Sequence, residues 1–212
     1  MGPRARRLFD AVLQFLTRYR CPMNTAAGPE PMTEPTPDPA RPAWAALMRD
    51  VPDFPKPGVV FRDICPLLAD AVAFAAMLDD RAAPWRGAGI DVVAGIEARG
   101  FVLGAALARH LHAGFVPLRK PGKLPGPVIE ESYALEYGSD RLQMQSHAVH
   151  AGTRVLLVDD VLATGGTLAA AAALVRRQGA VLAGAAVLME LEALGGRARW
   201  PADAPLLALL RH

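Results

Sequence analysis

Two adjacent carboxylates and a short loop of glycines and threonines are the residues of this sequence best suited to chemistry. Asp159 and Asp160 follow a continuous apolar run at residues 155–158, and residues 163–167 (Ala-Thr-Gly-Gly-Thr) precede an alanine-rich segment. Carboxylates can accept hydrogen bonds from hydroxyl groups or lie near a magnesium ion. Glycine lets the backbone approach a phosphate closely, and threonine hydroxyls add donors. The stretch therefore predicts a site with a phosphate-binding end and a hydroxyl- or metal-binding end.

The flanking segments predict how these residues are held. The apolar run 155–158 is typical of a parallel strand buried on both faces, and residues 168–178 predict a helix. Ligands bind at the carboxyl ends of parallel strands, and the N–H groups at the start of a helix favour an anion. Because no Gly-Lys-Ser/Thr triplet follows at the required spacing, the loop is not a nucleoside-triphosphate P-loop.

Strand and helix patterns alternate through the middle of the chain, which predicts an α/β domain with a mainly parallel sheet and right-handed crossovers. Extended segments are predicted at residues 59–64, 90–96, 115–118, 181–191 and 205–210, helices at 44–49, 70–81 and 101–110, and a proline-rich loop at 51–58. Residues 119–145 interrupt this alternation with a basic loop rich in glycine and proline, followed by two alternating segments at 133–138 and 140–145. An insertion of this kind is typical of a lid or a binding loop.

Composition narrows the class of protein. The chain has 212 residues, 52% of them hydrophobic, and a net charge of +2. This length predicts one domain with additions, and the charge gives no case for a nucleic-acid partner. No apolar run reaches the ~20 residues needed to span a bilayer, so no membrane association is expected for the folded part. Cys21 and Cys65 form neither a metal cluster nor a disulfide framework, which indicates a reducing, cytoplasmic location.

Residues 1–42 differ from the rest, and the folded domain is expected to span residues 43–212. Residues 2–20 are basic with apolar residues at helical spacing, and six prolines lie within residues 28–42, which predicts a linker without a core. Two interpretations of the basic segment stay open. It is a targeting or membrane-surface helix, or the true start of the protein is Met23 or Met32.

Five segments together resemble a known family. Residues 158–167 are similar to the segment with which type I phosphoribosyltransferases bind 5-phosphoribosyl 1-diphosphate (PRPP). Residues 54–64, 97–101, 119–126 and 133–138 are similar to segments of adenine phosphoribosyltransferases and occur in that family's order. The resemblance implies the type I phosphoribosyltransferase fold, with a central sheet flanked by helices, a small hood and a flexible lid at about 119–145. It also implies transfer of the phosphoribosyl group of PRPP to adenine, giving AMP and pyrophosphate in purine salvage.

The resemblance assigns PRPP to four groups of residues. Asp159 and Asp160 would hold the ribose hydroxyls, with Mg²⁺ carried by PRPP close to them and no directly assigned protein metal site. Residues 163–167, the phosphate loop, would bind the 5-phosphate, and residues 97–100, the pyrophosphate loop, would bind pyrophosphate through a segment that in this family often contains a cis non-proline peptide. Besides Asp159 and Asp160, the contacts to PRPP would come from Ala163, Thr164, Gly165, Gly166, Thr167, Glu97, Ala98, Arg99 and Gly100. Arg119, Lys120 and Lys123 of the basic loop would be further donors to pyrophosphate.

The resemblance also assigns the base and the catalytic groups. Val60, Phe61 and Arg62 would recognise adenine through backbone groups and stacking, and Leu191 would cover the opposite face of the base. Glu136 would be the general acid for adenine N7, Tyr137 would close the site against water, and Arg99 would complete the catalytic set. A homodimer is expected, because part of the basic loop would serve a neighbouring subunit.

Other interpretations stay open. By pattern alone, the basic loop is a solvated charge run, and Phe61 and Leu191 are ordinary core residues. The chain could be another type I phosphoribosyltransferase, acting on xanthine, hypoxanthine or orotate. It could also be a PRPP-sensing regulator, although that class usually lacks a competent lid. Residues 204–212 lack the aromatic and acidic ending common in the family.

Overall fold

The computed structural model describes residues 42–135 and 138–212, so the predictions made for the first 41 residues and for Glu136 and Tyr137 lie outside the described residues. The strands are β1 (Arg49–Pro52), β2 (Val60–Asp63), β3 (Val92–Ile96), β4 (Gly114–Leu118), β5 (Val128–Leu135), β6 (Gly138–Gln145), β7 (Arg154–Leu162), β8 (Val181–Glu190) and β9 (Leu206–Arg211). The α-helices are α1 (Cys65–Ala69), α2 (Ala71–Ala82), α3 (Arg99–Leu111) and α4 (Gly166–Arg177).

A five-stranded sheet in the order β4-β3-β7-β8-β9 forms the centre of the domain, and all of its pairings are parallel. This confirms the predicted α/β class and the parallel sheet. Strand β7 lies in the middle with its side chains alternating between two cores. Val155 and Leu157 pack in one core, and Leu156 and Val158 pack in the other. That position explains why the run has no polar residue.

The chain changes direction along the sheet between β3 and β7. Helix α3 leads from β3 outwards to β4, and its Leu103 and Leu107 pack in the same core as Leu156. Helix α4 leads from β7 towards β8, and its Leu174 packs in the opposite core with Leu157. Strands that diverge in this way leave a crevice at their carboxyl ends, where ligands of open α/β sheets bind. The sequence-predicted loops follow these two strands.

Two antiparallel hairpins accompany the sheet. Strands β5 and β6 pair from Val128↔Gln145 to Leu135↔Gly138, so the predicted pair of alternating segments exists and its first strand starts five residues earlier than expected. Strands β1 and β2 form the second hairpin. Here two predicted boundaries were wrong. The short helix predicted at 44–49 is a 3-10 helix that spans residues 43–47, and the first two residues of the predicted loop 51–58 belong to β1, because they pair with β2.

Strand β7 is longer than the apolar run that predicted it. Its pairing with β3 ends at Gly95↔Val158, whereas its pairing with β8 continues to Leu162↔Glu190. Asp159 and Asp160 therefore lie within the strand, just past the point where β3 stops. Within residues 42–135 and 138–212, none of the helices is long and apolar enough to cross a membrane.

Candidate functional site

Asp159 and Asp160, the acid pair, lie in the part of β7 that still pairs with β8 but no longer with β3. Asp159 pairs with Val187 of β8, and the Asp160 N–H donates to Asp159 Oδ1 at 2.8 Å. Asp160 is buried, with 7% of its surface exposed. Burial and the adjacent charge of Asp160 raise the pKa of Asp159 well above its ordinary value. Two carboxylates so close together in a partly dry site need opposite charges or hydroxyl donors nearby.

Arg99 supplies one of these opposite charges. It is the first residue of α3 and follows a cis peptide bond between Glu97 and Ala98, the feature expected in the pyrophosphate loop. Its Nε lies 2.5 Å from Asp160 Oδ2, and its guanidinium lies 4.7 Å from the centre of the Phe61 ring. Arg99 thus connects the acid pair with the β2 hairpin.

Gly100 allows this close approach between the pyrophosphate loop and the acid pair. A Cβ atom at this position would lie 2.9 Å from the backbone oxygen of Val158 and 3.2 Å from Asp159 Oδ1. The first of these distances is too short for a real side chain. The requirement for glycine here is therefore one of space, since the backbone of α3 touches β7 directly.

Arg81 supplies a second opposite charge, and nothing in the sequence analysis indicated it. It lies on α2 and is 1% exposed. Its Nη2 donates to the carbonyl of Asp159 at 2.6 Å and also to the carbonyl of Ala186 on β8. Burial lowers the pKa of Arg81 to about 10, which leaves it cationic at neutral pH. A positive charge therefore lies buried behind the acid pair.

The phosphate loop wraps a small cavity of about 70 Å³ between the end of β7 and the start of α4. Gly165 has φ +80°, a left-handed conformation that glycine adopts without cost, and it is the residue before α4 begins. Asp159, Ala163, Thr164 and Thr167 also line the cavity. Backbone N–H groups and a helix N-terminus that face one small cavity form an anion-binding arrangement.

Glu97 forms ion pairs with two cations of the basic loop, Arg119 and Lys123. Its side chain is 8% exposed and accepts hydrogen bonds from Lys123 Nζ at 2.6 Å and Arg119 Nε at 3.2 Å. Burial opposes the ionisation of Glu97, but the hydrogen bonds from these two cations outweigh it and lower the pKa. Lys120 instead contacts Asp140, with Nζ 2.9 Å from Oδ2. The structure therefore brings the predicted pyrophosphate-binding cations together beside the pyrophosphate loop.

A larger cavity of about 320 Å³ joins these groups. Its lining includes the predicted residues Glu97, Lys120, Asp159, Asp160 and Thr167, together with Ile96, Tyr133, Asp140 and Leu142. Tyr133 was predicted only as part of an alternating strand, and no role was predicted for Asp140. Tyr133 Oη donates to Asp140 Oδ2 at 3.2 Å. The alternation of the hairpin residues was the available signal, because it places both side chains on one face.

The residues predicted to bind the base occupy two places. Val60, Phe61 and Arg62 lie on β2, and Phe61 reaches the acid pair indirectly through its contact with Arg99. The Val60 side chain is 58% exposed, and Arg62 forms an ion pair with Asp50. Leu191 follows β8, packs at the edge of the core that contains Met189, and donates its N–H to the carbonyl of Leu162 at 2.9 Å.

Comparisons with known proteins show the family of the chain. The model of the phosphoribosyl transferase domain family matches residues 66–203. A curated adenine phosphoribosyltransferase of Xanthomonas campestris pv. campestris (strain B100) is 54% identical over 193 residues, which cover 91% of this chain and 97% of that protein. A curated adenine phosphoribosyltransferase of Synechococcus sp. (strain JA-3-3Ab) is 57% identical, covering 76% of this chain and 92% of that protein.

Solved structures with the same fold carry the same name. The crystal structure of the adenine phosphoribosyltransferase from Rhodothermus marinus is 48% identical and superposes with a TM-score of 0.76, covering 78% of this chain and 94% of that one. The enzyme of Saccharomyces cerevisiae, solved with an imino-altritol bisphosphate and adenine, is 40% identical with a TM-score of 0.73, covering 77% and 94% of the two chains.

Proposed function

The chain belongs to the phosphoribosyl transferase domain family, and within it to the adenine phosphoribosyltransferases; we propose that the crevice at the ends of β3 and β7 is its active site. The enzyme transfers the 5-phosphoribosyl group from PRPP to adenine and releases AMP and pyrophosphate. One observation supports this assignment above all. The acid pair stands between the phosphate loop and the pyrophosphate loop, which matches the order of ribose between the two phosphate groups of PRPP.

The acid pair and the phosphate loop position the ribose. Asp159 and Asp160 accept hydrogen bonds from the 2- and 3-hydroxyls, and the backbone N–H groups of residues 163–167 bind the 5-phosphate. The carbon that reacts then lies between the carboxylates and the pyrophosphate loop. Fixing two reactants in this geometry removes much of the entropic barrier of a reaction between them. The carboxylates also favour the positive charge that develops on the ribosyl group.

The cations beside the pyrophosphate loop stabilise the leaving group. In the structure Arg99 contacts Asp160, and Arg119 and Lys123 contact Glu97. We propose that PRPP binding transfers these cations, together with Lys120, to pyrophosphate oxygens. Glu97 and Ala98 shape the loop, and Gly100 leaves space for it against β7. Charge-assisted hydrogen bonds of this kind are about twice as strong as neutral ones, and they strengthen further as charge develops on the leaving oxygen.

The residues present fit a magnesium ion that arrives with the substrate. Asp159 and Asp160 offer carboxylate oxygens to the larger cavity, and the described residues include no cluster of three or more side chains able to form a complete protein cage. Mg²⁺ commonly keeps several waters and binds one or two carboxylates together with substrate phosphates. When bound, Mg²⁺ neutralises charge on the pyrophosphate group. The chain's own contribution is the acid pair itself, with the charge of Arg81 opposing the rise in the pKa of Asp159 that burial and Asp160 cause.

The base, the lid and the assembly complete the proposal. Val60, Phe61 and Arg62 on one side and Leu191 on the other bind adenine, with the Phe61 ring stacking on the base. As N9 of adenine forms its bond to the ribosyl carbon, the Glu136 carboxylate accepts the proton that the base carries on N7. In the reverse direction Glu136 returns that proton to N7 as the general acid. Tyr137 closes the site against water. We further propose a homodimer acting in the cytoplasm, in which the basic loop contributes to the neighbouring site.

A panel of bases tests the proposed function. The purified protein is incubated with PRPP, Mg²⁺ and adenine, xanthine, hypoxanthine or orotate in turn, and nucleotide formation is measured. We expect turnover of adenine that is at least about 100-fold more efficient than that of the other bases, because a site that binds base nitrogens through hydrogen bonds rejects mismatched bases. EDTA is expected to abolish turnover. Turnover of hypoxanthine or orotate but not adenine would overturn the assignment, and PRPP binding without any turnover would favour a regulator.

A further inference from the structure

The phosphate loop rests directly against a turn near the C-terminus. A 3-10 turn spans Gly196–Arg199, and Gly195 precedes it. A Cβ atom built on Gly165 would lie 2.3 Å from the backbone oxygen of Gly196. Conversely, a Cβ atom on Gly196 would lie 2.1 Å from the oxygen of Ala163 and 2.8 Å from the nitrogen of Gly165. The two backbones therefore touch, and neither glycine leaves room for a side chain.

Gly196 contacts the loop without lining the phosphate cavity. Ala163 and Gly165, which it contacts, both line the cavity of about 70 Å³, whereas Gly196 does not. Gly195 differs, because it has φ +61° and a Cβ atom there would meet nothing within 4 Å. Gly195 is thus needed for the shape of the turn, whereas Gly196 is needed for its contact with the loop.

A half-buried ion pair fixes the position of this turn. Arg197 forms a two-pronged interaction with Glu190, with Nη2 2.5 Å from Oε2 and Nε 2.9 Å from Oε1. Arg197 Nη1 also donates to the carbonyl of Leu206 on β9 at 2.9 Å. Glu190 is 4% exposed and is the last residue of β8, and hydrogen bonding to Arg197 lowers its pKa. Arg211 lies 3.8 Å from the same carboxylate.

We propose that Gly196, held in place by the Arg197–Glu190 ion pair, positions the phosphate loop and thereby sets the affinity of the enzyme for the 5-phosphate group. The inference rests on the proposed function, in which the phosphate loop binds that group. Gly196, Arg197 and Glu190 act as positioning residues, because Gly196 contacts the loop, Arg197 and Glu190 hold Gly196 in place, and none of the three lines the cavity. The last residues of β8 and β9 are thereby connected to substrate binding, although residues 204–212 depart from the family's usual ending.

The size of the effect follows from the contact distances. Substitution of Gly196 by alanine places a Cβ atom 2.1 Å from a carbonyl oxygen, whereas real contacts are 3.0 Å or longer, so the two segments must separate by about 0.9 Å. A displacement of ~1 Å in a binding site can reduce rates by about 100-fold. We therefore expect Gly196→Ala to weaken binding of the 5-phosphate by between tenfold and 100-fold, in round numbers.

The test compares two kinds of ligand on the full-length enzyme. Affinities for ribose 5-phosphate and for pyrophosphate are measured by titration calorimetry, together with KM for PRPP and for adenine. For Gly196→Ala and Arg197→Met, we expect weaker ribose 5-phosphate binding and a higher KM for PRPP, with unchanged pyrophosphate affinity. Arg197→Lys keeps the charge but lacks the two-pronged geometry and should fall between these variants and wild type.

Arg176→Met is the matched control. Arg176 also forms an ion pair in which both carboxylate oxygens take part, because its Nη2 lies 2.6 Å and 2.9 Å from the two oxygens of Asp203. This pair is exposed and does not contact the phosphate loop. It should leave every binding constant unchanged. The inference is overturned if Gly196→Ala binds ribose 5-phosphate as wild type does, or if all ligands weaken equally. Wild-type protein without adenine turnover would contradict the proposed function instead.

Discussion

Replacement of Arg81 by methionine separates the catalytic role of a buried charge from its role in stability. Arg81 is 1% exposed, and within the described part of the chain its Nε and Nη1 have no hydrogen-bond partner. Only Nη2 is satisfied, by the carbonyls of Asp159 and Ala186. Burying a cation in this way costs free energy, so its position behind the acid pair calls for a functional reason.

The stability terms nearly offset each other. Burying the guanidinium costs several kcal/mol, and hydrogen bonds to a charged donor contribute roughly 1.5–3 kcal/mol each. Methionine fills a similar volume without a desolvation cost and loses the two bonds. We therefore expect the free energy of unfolding to change by less than about 2 kcal/mol in either direction.

The electrostatic effect of Arg81 on the Asp159 carboxylate, in contrast, has no opposing contribution of similar size. Because Nη2 lies 2.6 Å from the Asp159 carbonyl, we place the charge at about 7 Å from the carboxylate of that residue, where the attraction is ~2 kcal/mol at an effective dielectric constant near 20. Burial and Asp160 raise the pKa of Asp159, and Arg81 opposes that rise. Its removal raises the pKa further, so more of the acid pair is protonated at a given pH. A loss of ~2 kcal/mol corresponds to about a thirtyfold drop in kcat/KM for PRPP.

The assay is kcat/KM for PRPP as a function of pH, measured for wild type, Arg81→Met and Arg81→Lys. We expect the acid limb for Arg81→Met to move to higher pH, and Arg81→Lys to restore part of the activity because it retains a charge. Since a raised carboxyl pKa means that the folded protein binds the extra proton, the methionine variant should also be less stable at pH 8 than at pH 5, relative to wild type.

Arg86→Met is the control for this series. Arg86 lies just beyond the end of α2, the helix that carries Arg81, and forms an exposed ion pair with Asp79, with Nη2 2.9 Å from Oδ1. It should behave as wild type. If Arg81→Met retains wild-type kcat/KM at every pH, the electrostatic reasoning is refuted. If it loses activity only because it unfolds at the assay temperature, Arg81 is structural.

Three further substitutions test other parts of the site. The double variant Asp159→Asn with Asp160→Asn should lose at least about 100-fold of its turnover while keeping its circular dichroism spectrum; near-wild-type activity would reject the ribose assignment. Gly100→Ala should raise KM for PRPP by about tenfold, because its Cβ would lie 2.9 Å from the Val158 carbonyl; an unchanged KM would mean that the loop can move freely. Glu97→Gln should lower thermal stability at neutral pH. Hydrogen bonds from Lys123 and Arg119 lower the pKa of Glu97, so the carboxylate stabilises the fold only where it is ionised. The difference in thermal stability between variant and wild type should therefore vanish as the pH falls below about 4.5, and a difference that stays constant with pH would contradict this role of Glu97.

The sheet and its two loops were predictable because their signals are local. The apolar run of β7 identifies a strand buried on both faces, and a glycine–threonine loop followed by an alanine-rich segment identifies the turn into α4. The acid pair was assigned to the end of the strand and proved to lie within it. The sequence could not indicate this, because the length of β7 depends on β8 continuing beside it after β3 has ended.

The supporting residues were not predicted, because their partners are distant in sequence. Arg81 follows Asp79 and Asp80 and resembles the solvated end of a helix, yet it lies four residues after the buried Met77 and therefore on the same face. That spacing was the available signal. Gly196 received no prediction, because its contact with the phosphate loop depends on how β8 and β9 place two remote segments together.

The cations of the site explain why these supports matter. Arg99 and Lys123 are paired with protein carboxylates, at 2.5 Å and 2.6 Å. On the proposed function, PRPP binding exchanges these ion pairs for others, and the affinity is the difference between two large terms. When Arg99 moves towards pyrophosphate, Asp160 loses its contact, and the buried Arg81 remains as the opposite charge that cannot follow the substrate. A fixed cation behind the acid pair and a fixed turn behind the phosphate loop keep the ribose end of the site unchanged while the pyrophosphate end exchanges its partners.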